Sequence, residues 1–247
     1  MFLCVPVCSC MFLCVPVCSC VFLCVFLVCF SCVLLIPSTE RYLRLTHQYR
    51  NNDDNCLHTG GNSMWQKVRE IWAFVAAVYA EDYDYFWLGG DDVFMIPENM
   101  KAYLGSDRIH QMNEDPNNPG LFIGARKKEG GDMDKLFNSG GAGYVLSRKT
   151  LRALERQLST CRPNQHGFWE DVNVALCLKN EGILPIDTRD DAGSERFHLF
   201  NPGHILSWRP PKPDPTKDWF YVYSMGNKVG MDCCSDESIV FHYVKEE

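Results

Sequence analysis

The feature that most constrains this chain is the stretch 84–96, in which two apolar runs are interrupted by Gly89-Gly90 and Asp91-Asp92. Carboxylates among apolar residues are costly to bury unless a cation or a hydrogen-bond network compensates their charge. Each run has the length of a short strand, so the four residues between them predict a bend. We interpret this bend as a candidate site for a divalent cation bound to a phosphate. An ordinary polar turn is the alternative.

Composition and charge limit the class of protein. The chain has 247 residues, 46% of them apolar and 22% charged, which is enough to bury one large core. Its net charge of -7 argues against binding nucleic acid by neutralising phosphates. A Gly-Asp-Asp between apolar strands also occurs in the palm hairpin of polymerases, but an acidic chain without a basic, aromatic-interleaved surface disfavours that class. Sugars, nucleotide sugars and proteins remain as partners.

The first 37 residues differ from the rest. They carry no charged side chain, and residues 1–10 recur letter for letter as 11–20, which is a low-complexity repeat. The run 21–36 is apolar except for Ser31, and the whole segment can supply the about 20 residues of a spanning helix, which predicts a signal-anchor. The alternative is a translated repeat or a wrong gene start that is absent from the mature protein.

The cysteines favour an oxidising, lumenal compartment. Nine of the 14 lie at positions 4 to 32, and the body of the chain has no CxxC pair with zinc spacing. Cys161 and Cys177 flank one helix-like segment and can pair, whereas the vicinal Cys233 and Cys234 are expected to bond to separate partners. The basic residues that follow the leader favour a cytoplasmic C-terminus on the positive-inside rule, which conflicts with a lumenal domain.

The pattern divides the chain into a leader at 1–37, a polar connector at 38–61 and one domain at 62–247. Apolar residues at three- and four-residue steps after a capping box of Ser63 and Gln66 predict a helix to about 80. A polar loop is predicted at 106–120. Strands and helices alternate, which indicates an α/β domain. The predicted strands are 83–88, 93–96, 121–125, 144–146, 183–186 and 239–244, and the further helices are 97–104, 148–158 and 169–180.

Three polar sites stand at the ends of predicted elements: Asp91-Asp92, Glu170-Asp171 and His242. Carboxylate oxygens with one imidazole suit manganese or magnesium, and such an ion would bridge a diphosphate. Glu170-Asp171 can supply a general base, although two carboxylates that complement the positive end of a helix explain the pair equally well. For His242 alone, a structural histidine is the simpler interpretation.

The run 139–143 forms a second glycine-rich joint. Gly140-Gly141 is explained by a tight turn, or by a substrate that approaches the backbone where side chains are missing.

Together these residues resemble glycosyltransferase family 31, and within it the core 1 β1,3-galactosyltransferase group. The match runs from about Asn62 to Val244, and its last block and Arg196-Phe197-His198 distinguish this group from wider relatives. The matching blocks are 65–67, 88–99, 139–148, 170–172, 187–190, 195–198, 233–236 and 241–244.

The resemblance implies a GT-A-like (Rossmann-like) fold and an inverting transfer of a hexose, galactose in this group, from a UDP-sugar to a protein O-glycan. It implies that Asp92 and His242 hold Mn²⁺ and that Asp171 deprotonates the acceptor hydroxyl. Asp91, Glu170 and Gly140-Gly141 would line the donor site. A Golgi location follows, as a single-pass type II membrane protein with a lumenal catalytic domain.

Two departures from the family pattern stand out. Gly90 occupies the first position of the usual acidic triplet, which removes one carboxylate but leaves Asp92. The match begins near Asn62, so the family's first nucleotide-binding strand and helix have no counterpart. The connector before it, about 25 residues long, is too short to form a βαβ unit of roughly 30 residues. The domain is therefore expected to be N-terminally truncated. A catalytically inactive relative that acts as a binding or chaperone-like partner is the second hypothesis.

Overall fold

The computed structural model describes residues 3–6, 32–36, 64–165, 167 and 169–244 of the chain. The helices in this part are α1 (Met64–Tyr79), α2 (Pro97–Leu104), α3 (Asp107–Glu114), α4 (Arg148–Gln157), α5 (Glu170–Lys179), α6 (Pro202–Ser207) and α7 (Trp219–Tyr223). The strands are β1 (Leu3–Pro6), β2 (Cys32–Ile36), β3 (Tyr85–Gly89), β4 (Val93–Met95), β5 (Phe122–Gly124), β6 (Arg126–Lys128), β7 (Leu136–Asn138), β8 (Tyr144–Ser147), β9 (Phe197–His198) and β10 (Val240–His242).

Three sheets organise these strands. The main sheet has the order β1-β2-β3-β8-β5, and its neighbouring strands pair antiparallel. A second sheet has the order β4-β10-β9, with β10 antiparallel to β4 and parallel to β9, and β6 and β7 form a two-stranded ribbon. The mixed α/β class predicted from the sequence is confirmed.

The core packs α1, α4 and α5 against one face of the main sheet. The apolar positions predicted for the first helix, including Trp65, Trp72 and Tyr79, are buried. Trp72 Nε1 donates a hydrogen bond to the Tyr144 hydroxyl at 3.1 Å, which ties α1 to β8. The predicted pairing of Cys161 with Cys177 is confirmed, and this disulfide joins α5 to the segment after α4.

The structure corrects the loop predicted at 106–120, because Asp107–Glu114 forms α3. Ser106 caps this helix by accepting a hydrogen bond from the Ile109 amide, and Asp107 places a negative charge at its positive end. Ile109 is the one residue of α3 that is fully buried. Local capping therefore produces a helix where the apolar pattern was too weak to predict one.

The strand predicted at 183–186 is also wrong. Only Pro185 forms a bridge, to Phe122 of β5, and the Ile186 amide donates to the Phe122 carbonyl at 3.0 Å. Proline has no amide hydrogen, so this segment cannot continue a regular ladder of hydrogen bonds.

The vicinal cysteines require a further correction. Cys233 and Cys234 are bonded to each other rather than to separate partners. Cys161 and Cys177 already share their own disulfide, and Cys56 lies outside the described residues.

The leader and connector fall mostly outside the described residues, as does Ser63 of the predicted capping box. The last five residues of the apolar run, Cys32–Ile36, form β2 and pair with β3, with Cys32 opposite Gly89. In the described part of the chain, no helix has the length and hydropathy needed to cross a membrane. The signal-anchor and the division at 37 and 61 stay predictions.

Candidate functional site

The register of β4 on β10 brings Asp92 to His242. After β3 ends at Gly89, the bend turns the chain into β4, where Val93 lies opposite His242. Asp92 precedes Val93, and its Oδ1 lies 3.2 Å from His242 Nε2. The Val244 amide donates to the Asp92 carbonyl at 3.1 Å, which fixes the bend against the end of β10. The two residues predicted to bind metal are thus in direct contact.

Backbone and ring contacts orient the His242 imidazole. Its Nδ1 lies 3.2 Å from the Leu199 carbonyl, which can only accept, so Nδ1 donates and Nε2 faces Asp92. The Tyr243 ring stacks on the imidazole with centroids 3.7 Å apart. Tyr243 has φ 56°, an uncommon conformation for a bulky side chain. The sequence did not predict either contact, because one is a backbone group and the other depends on this dihedral angle.

The pair has the donor chemistry of a divalent cation site. With Nδ1 protonated, a neutral imidazole presents a lone pair on Nε2 to a carboxylate oxygen that also only accepts, so a shared proton or a cation would hold them together. Ligands at neighbouring corners of an octahedron with bonds of about 2.1 Å lie about 3.0 Å apart. The observed 3.2 Å separation fits that arrangement.

A cation at this pair would need further ligands. No cluster of three or more His, Cys, Asp or Glu side chains with metal-binding geometry occurs among the described residues. In this part of the chain, Asp92 and His242 thus offer such a cation two side-chain ligands. Asp91 is exposed on the bend. Its predicted place in the donor site stays a prediction.

The second part of the site is the acidic pair in the first turn of α5. Asp171 Oδ2 accepts a hydrogen bond from the Gly140 amide at 2.9 Å, and Oδ1 accepts one from the Val172 amide at 2.8 Å. Burial raises the pKa of Asp171, and these backbone amides oppose that shift. Burial, reinforced by the Asp171 charge, raises the pKa of Glu170 well above its usual range. The pKa of both carboxyl groups is therefore raised, that of Glu170 more strongly, and the backbone hydrogen bonds to Asp171 stabilise its ionised form.

A short turn joins the acidic pair to the metal pair. Residues Gly140–Ala142 form a 3-10 turn between β7 and β8. A Cβ atom on Gly140 would lie 2.2 Å from Glu170 Oε1, and one on Gly141 would lie 2.8 Å from His242 Cε1 and Nδ1. A Cβ at Gly141 would therefore displace the His242 ring, and one at Gly140 would displace the carboxyl end of Glu170. Glu170, Asp171 and His242 thus contact the turn that Gly140 and Gly141 form, and Asp92 is linked to it through His242.

Other motif residues support the site from a distance. His198 of β9 stacks on Phe241 of β10 at 4.4 Å and contacts the Ser238 hydroxyl at 3.0 Å. Burial lowers the pKa of His198 to about 3, so it is neutral. Hydrogen bonds from Arg189 lower the pKa of Asp187 to about 2, and Arg126 also pairs with this carboxylate at 2.6 Å. His198 thus supports the strand that carries His242, whereas the Asp187 cluster ties β6 to the segment 187–189.

Comparisons with known proteins indicate the class. No protein-family model matches the chain. The chain is similar to a glycosyltransferase over most of its length. That relative is glycoprotein-N-acetylgalactosamine 3-beta-galactosyltransferase 1 of Xenopus laevis, with 29% identity over 189 residues. The match covers 76% of this chain and 49% of the relative, so the chain spans about half the length of the curated relative that it matches. The resemblance to the core 1 galactosyltransferases is confirmed.

Proposed function

We propose that the chain is an inverting, Mn²⁺-dependent transferase that moves galactose from a UDP-sugar to a protein O-glycan in β1,3 linkage, on a GT-A-like domain. The observation that carries this proposal is the turn at Gly140-Gly141, which contacts both His242 and the acidic pair. A diphosphate held at the metal pair would lie on one side of this turn, and a base on the other. The similarity to a β1,3-galactosyltransferase supports the reaction class.

In this proposal, Asp171 accepts the proton of the acceptor hydroxyl. Each of its oxygens already receives one backbone hydrogen bond, and each retains a lone pair for a further one. The acceptor oxygen then forms a bond to the anomeric carbon while the bond from that carbon to the diphosphate oxygen breaks on the opposite face. The sugar is transferred with inversion, UDP leaves, and the proton remains on Asp171.

Asp92 and His242 would hold Mn²⁺. Their role is to present an oxygen and a nitrogen at a fixed separation, with the imidazole held by Leu199 and Tyr243. A bound divalent cation would neutralise the diphosphate and the charge of the leaving group. The proposal assigns the donor side to Asp91 and the glycine turn.

The proposed partners are a UDP-sugar and a glycoprotein or glycan acceptor. A lumenal Golgi location is supported by the disulfides Cys161–Cys177 and Cys233–Cys234, since such bonds persist in oxidising compartments. We propose membrane attachment through the leader. Protease protection of a C-terminal tag in sealed microsomes would test the orientation, and a tag cleaved without detergent would contradict a lumenal domain.

The test of the function is galactose transfer from UDP-galactose to an aryl α-GalNAc acceptor by the full chain, with Mn²⁺ or with EDTA. We expect transfer only with the metal and a loss of at least about 100-fold in Asp171→Asn, the range expected for a general base. Asp191→Asn is the matched control, because Asp191 is exposed. Absence of transfer by wild type would reject the proposal and favour the inactive, binding-partner hypothesis.

A further inference from the structure

Glu170 lies in an unusual environment beneath the glycine turn. Its Oε2 is buried without a hydrogen-bond partner among the described groups, and its Oε1 lies against Gly140. The titratable groups that face it are Asp171 on its own helix and the Tyr144 hydroxyl on β8. In the part of the chain that the structure describes, no lysine or arginine forms an ion pair with Glu170.

The two neighbouring carboxyl groups cannot both be charged at low cost. A buried carboxylate without a cation or hydrogen bonds is strongly disfavoured, and a second negative charge beside it adds to the penalty. Asp171 receives two backbone hydrogen bonds that stabilise its ionised form, whereas Glu170 Oε2 receives none. The proton retained by the pair therefore belongs on Glu170.

We propose that Glu170 is a positioning residue that acts as an uncharged carboxylic acid, filling the space beneath Gly140 and leaving the negative charge of the pair on Asp171 alone. This inference rests on the proposed function only in treating Asp171 as the base. It replaces the donor-site role that the family resemblance implies for Glu170 with that of an internal support of the base.

The first measurement is the protonation state itself. We expect the infrared spectrum of the full chain at neutral pH to contain the carbonyl band of a protonated carboxylic acid. The difference spectrum between wild type and Glu170→Gln should assign that band to Glu170. Glu70→Gln is the matched control, since Glu70 is exposed on α1. A wild-type spectrum with only carboxylate bands would overturn the inference, and this outcome does not depend on whether the variant folds.

The second measurement is unfolding as a function of pH. The unfolded chain ionises Glu170 above its usual pKa of 4.5, whereas the folded chain keeps the proton until the raised pKa is reached. As the pH rises from 4.5 to this raised pKa, wild type therefore loses stability, whereas Glu170→Gln does not. We expect the ratio of the unfolding equilibrium constant of wild type to that of Glu170→Gln to rise by up to about tenfold per pH unit. A ratio that stays constant with pH, or moves the other way, would overturn the inference.

Turnover separates positioning from simple packing. Glutamine has the shape and neutrality of the protonated acid, so Glu170→Gln should keep kcat within about threefold, whereas Glu170→Ala should lower it at least about tenfold. A collapse of kcat in a folded Glu170→Gln variant would indicate that Glu170 itself exchanges a proton, which contradicts the proposal. If wild type has no transfer activity, the proposed function fails, and the infrared and unfolding results still decide the state of Glu170.

Discussion

Replacing Gly141 with alanine perturbs the metal pair through a single methyl group. The new Cβ would lie 2.8 Å from two atoms of the His242 ring, whereas ordinary contact begins near 3.4 Å. The ring would have to move by about 0.6 Å in a close-packed interior. Its Nδ1 is hydrogen-bonded to Leu199 and its face is stacked on Tyr243, so movement disrupts contacts that orient Nε2 toward Asp92.

The size of the effect follows from these contacts. Overpacking costs about 1–3 kcal/mol, and weakening the hydrogen bond to the Leu199 carbonyl costs about 1 kcal/mol. A displaced His242 has to return to its present position to bind a metal. About 1–3 kcal/mol of the overpacking cost therefore opposes metal binding. At 1.4 kcal/mol per tenfold, Mn²⁺ affinity should fall by about 5- to 150-fold in Gly141→Ala.

Gly140→Ala provides the matched comparison. Its Cβ would meet Glu170 Oε1, the end of a flexible side chain, and would not approach the imidazole. We expect this variant to lower galactose transfer while Mn²⁺ affinity stays within about twofold of wild type. Gly203→Ala is the neutral control, because its Cβ would make an ordinary contact of 3.5 Å.

The assay is titration of free Mn²⁺ by electron paramagnetic resonance in the presence of UDP, followed by transfer at saturating metal. Equal Mn²⁺ affinities for Gly141→Ala and wild type would refute the claim that this turn positions His242. Equal losses of affinity in both alanine variants would refute the division of the turn into a metal side and an acidic side.

Three further predictions concern stability and the metal site. Replacing both Cys161 and Cys177 with serine removes a disulfide with a sequence separation of 16, and should lower the unfolding free energy by about 3 kcal/mol. Chemical denaturation measures this change, and an unchanged denaturation midpoint would contradict the prediction. Burial lowers the pKa of Lys127, so wild type should gain stability relative to Lys127→Met as the pH rises toward 10.5. Parallel denaturation profiles of the two proteins would count against a lowered pKa of Lys127. A Cβ at Gly90 would lie 2.8 Å from Asp92 Oδ1 in both Gly90→Asp and Gly90→Ala, so a difference between these two variants reports the added carboxylate. Gly90→Asp should bind Mn²⁺ about tenfold more tightly than Gly90→Ala, and equal affinities of the two variants would argue against a metal at this bend.

Local signals in the sequence were sufficient for the longer elements. The helix α1 follows from apolar residues at helical spacing, and α2 begins at Pro97 and ends before Gly105 as predicted. The helix α3 was missed because one buried residue gives too little periodicity. The strand β6 was missed because its sequence, Arg126-Lys127-Lys128, is entirely basic, although Lys127 is buried.

The candidate site was predictable in composition but not in arrangement. The carboxylates, the histidine and the glycine pair were identified from their residue types and from the family resemblance. Their meeting depends on the register of β4 on β10 and on the packing of α5 against the turn, which no local pattern encodes. The glycines illustrate the difference, because the sequence suggested either a tight turn or space for a substrate. In the structure they form a 3-10 turn, and Glu170 and His242 of the chain itself occupy their Cβ positions.

The most direct test of the account is the structure of the product formed from UDP-galactose and an aryl α-GalNAc acceptor by the full chain with Mn²⁺. The account predicts a disaccharide whose new linkage is β1,3 by nuclear magnetic resonance. It also predicts that product formation is lost with EDTA, in His242→Ala and in Asp171→Asn, and that it persists in His110→Ala, whose histidine is exposed on α3. An α-linked product, or undiminished product from Asp171→Asn, would contradict it.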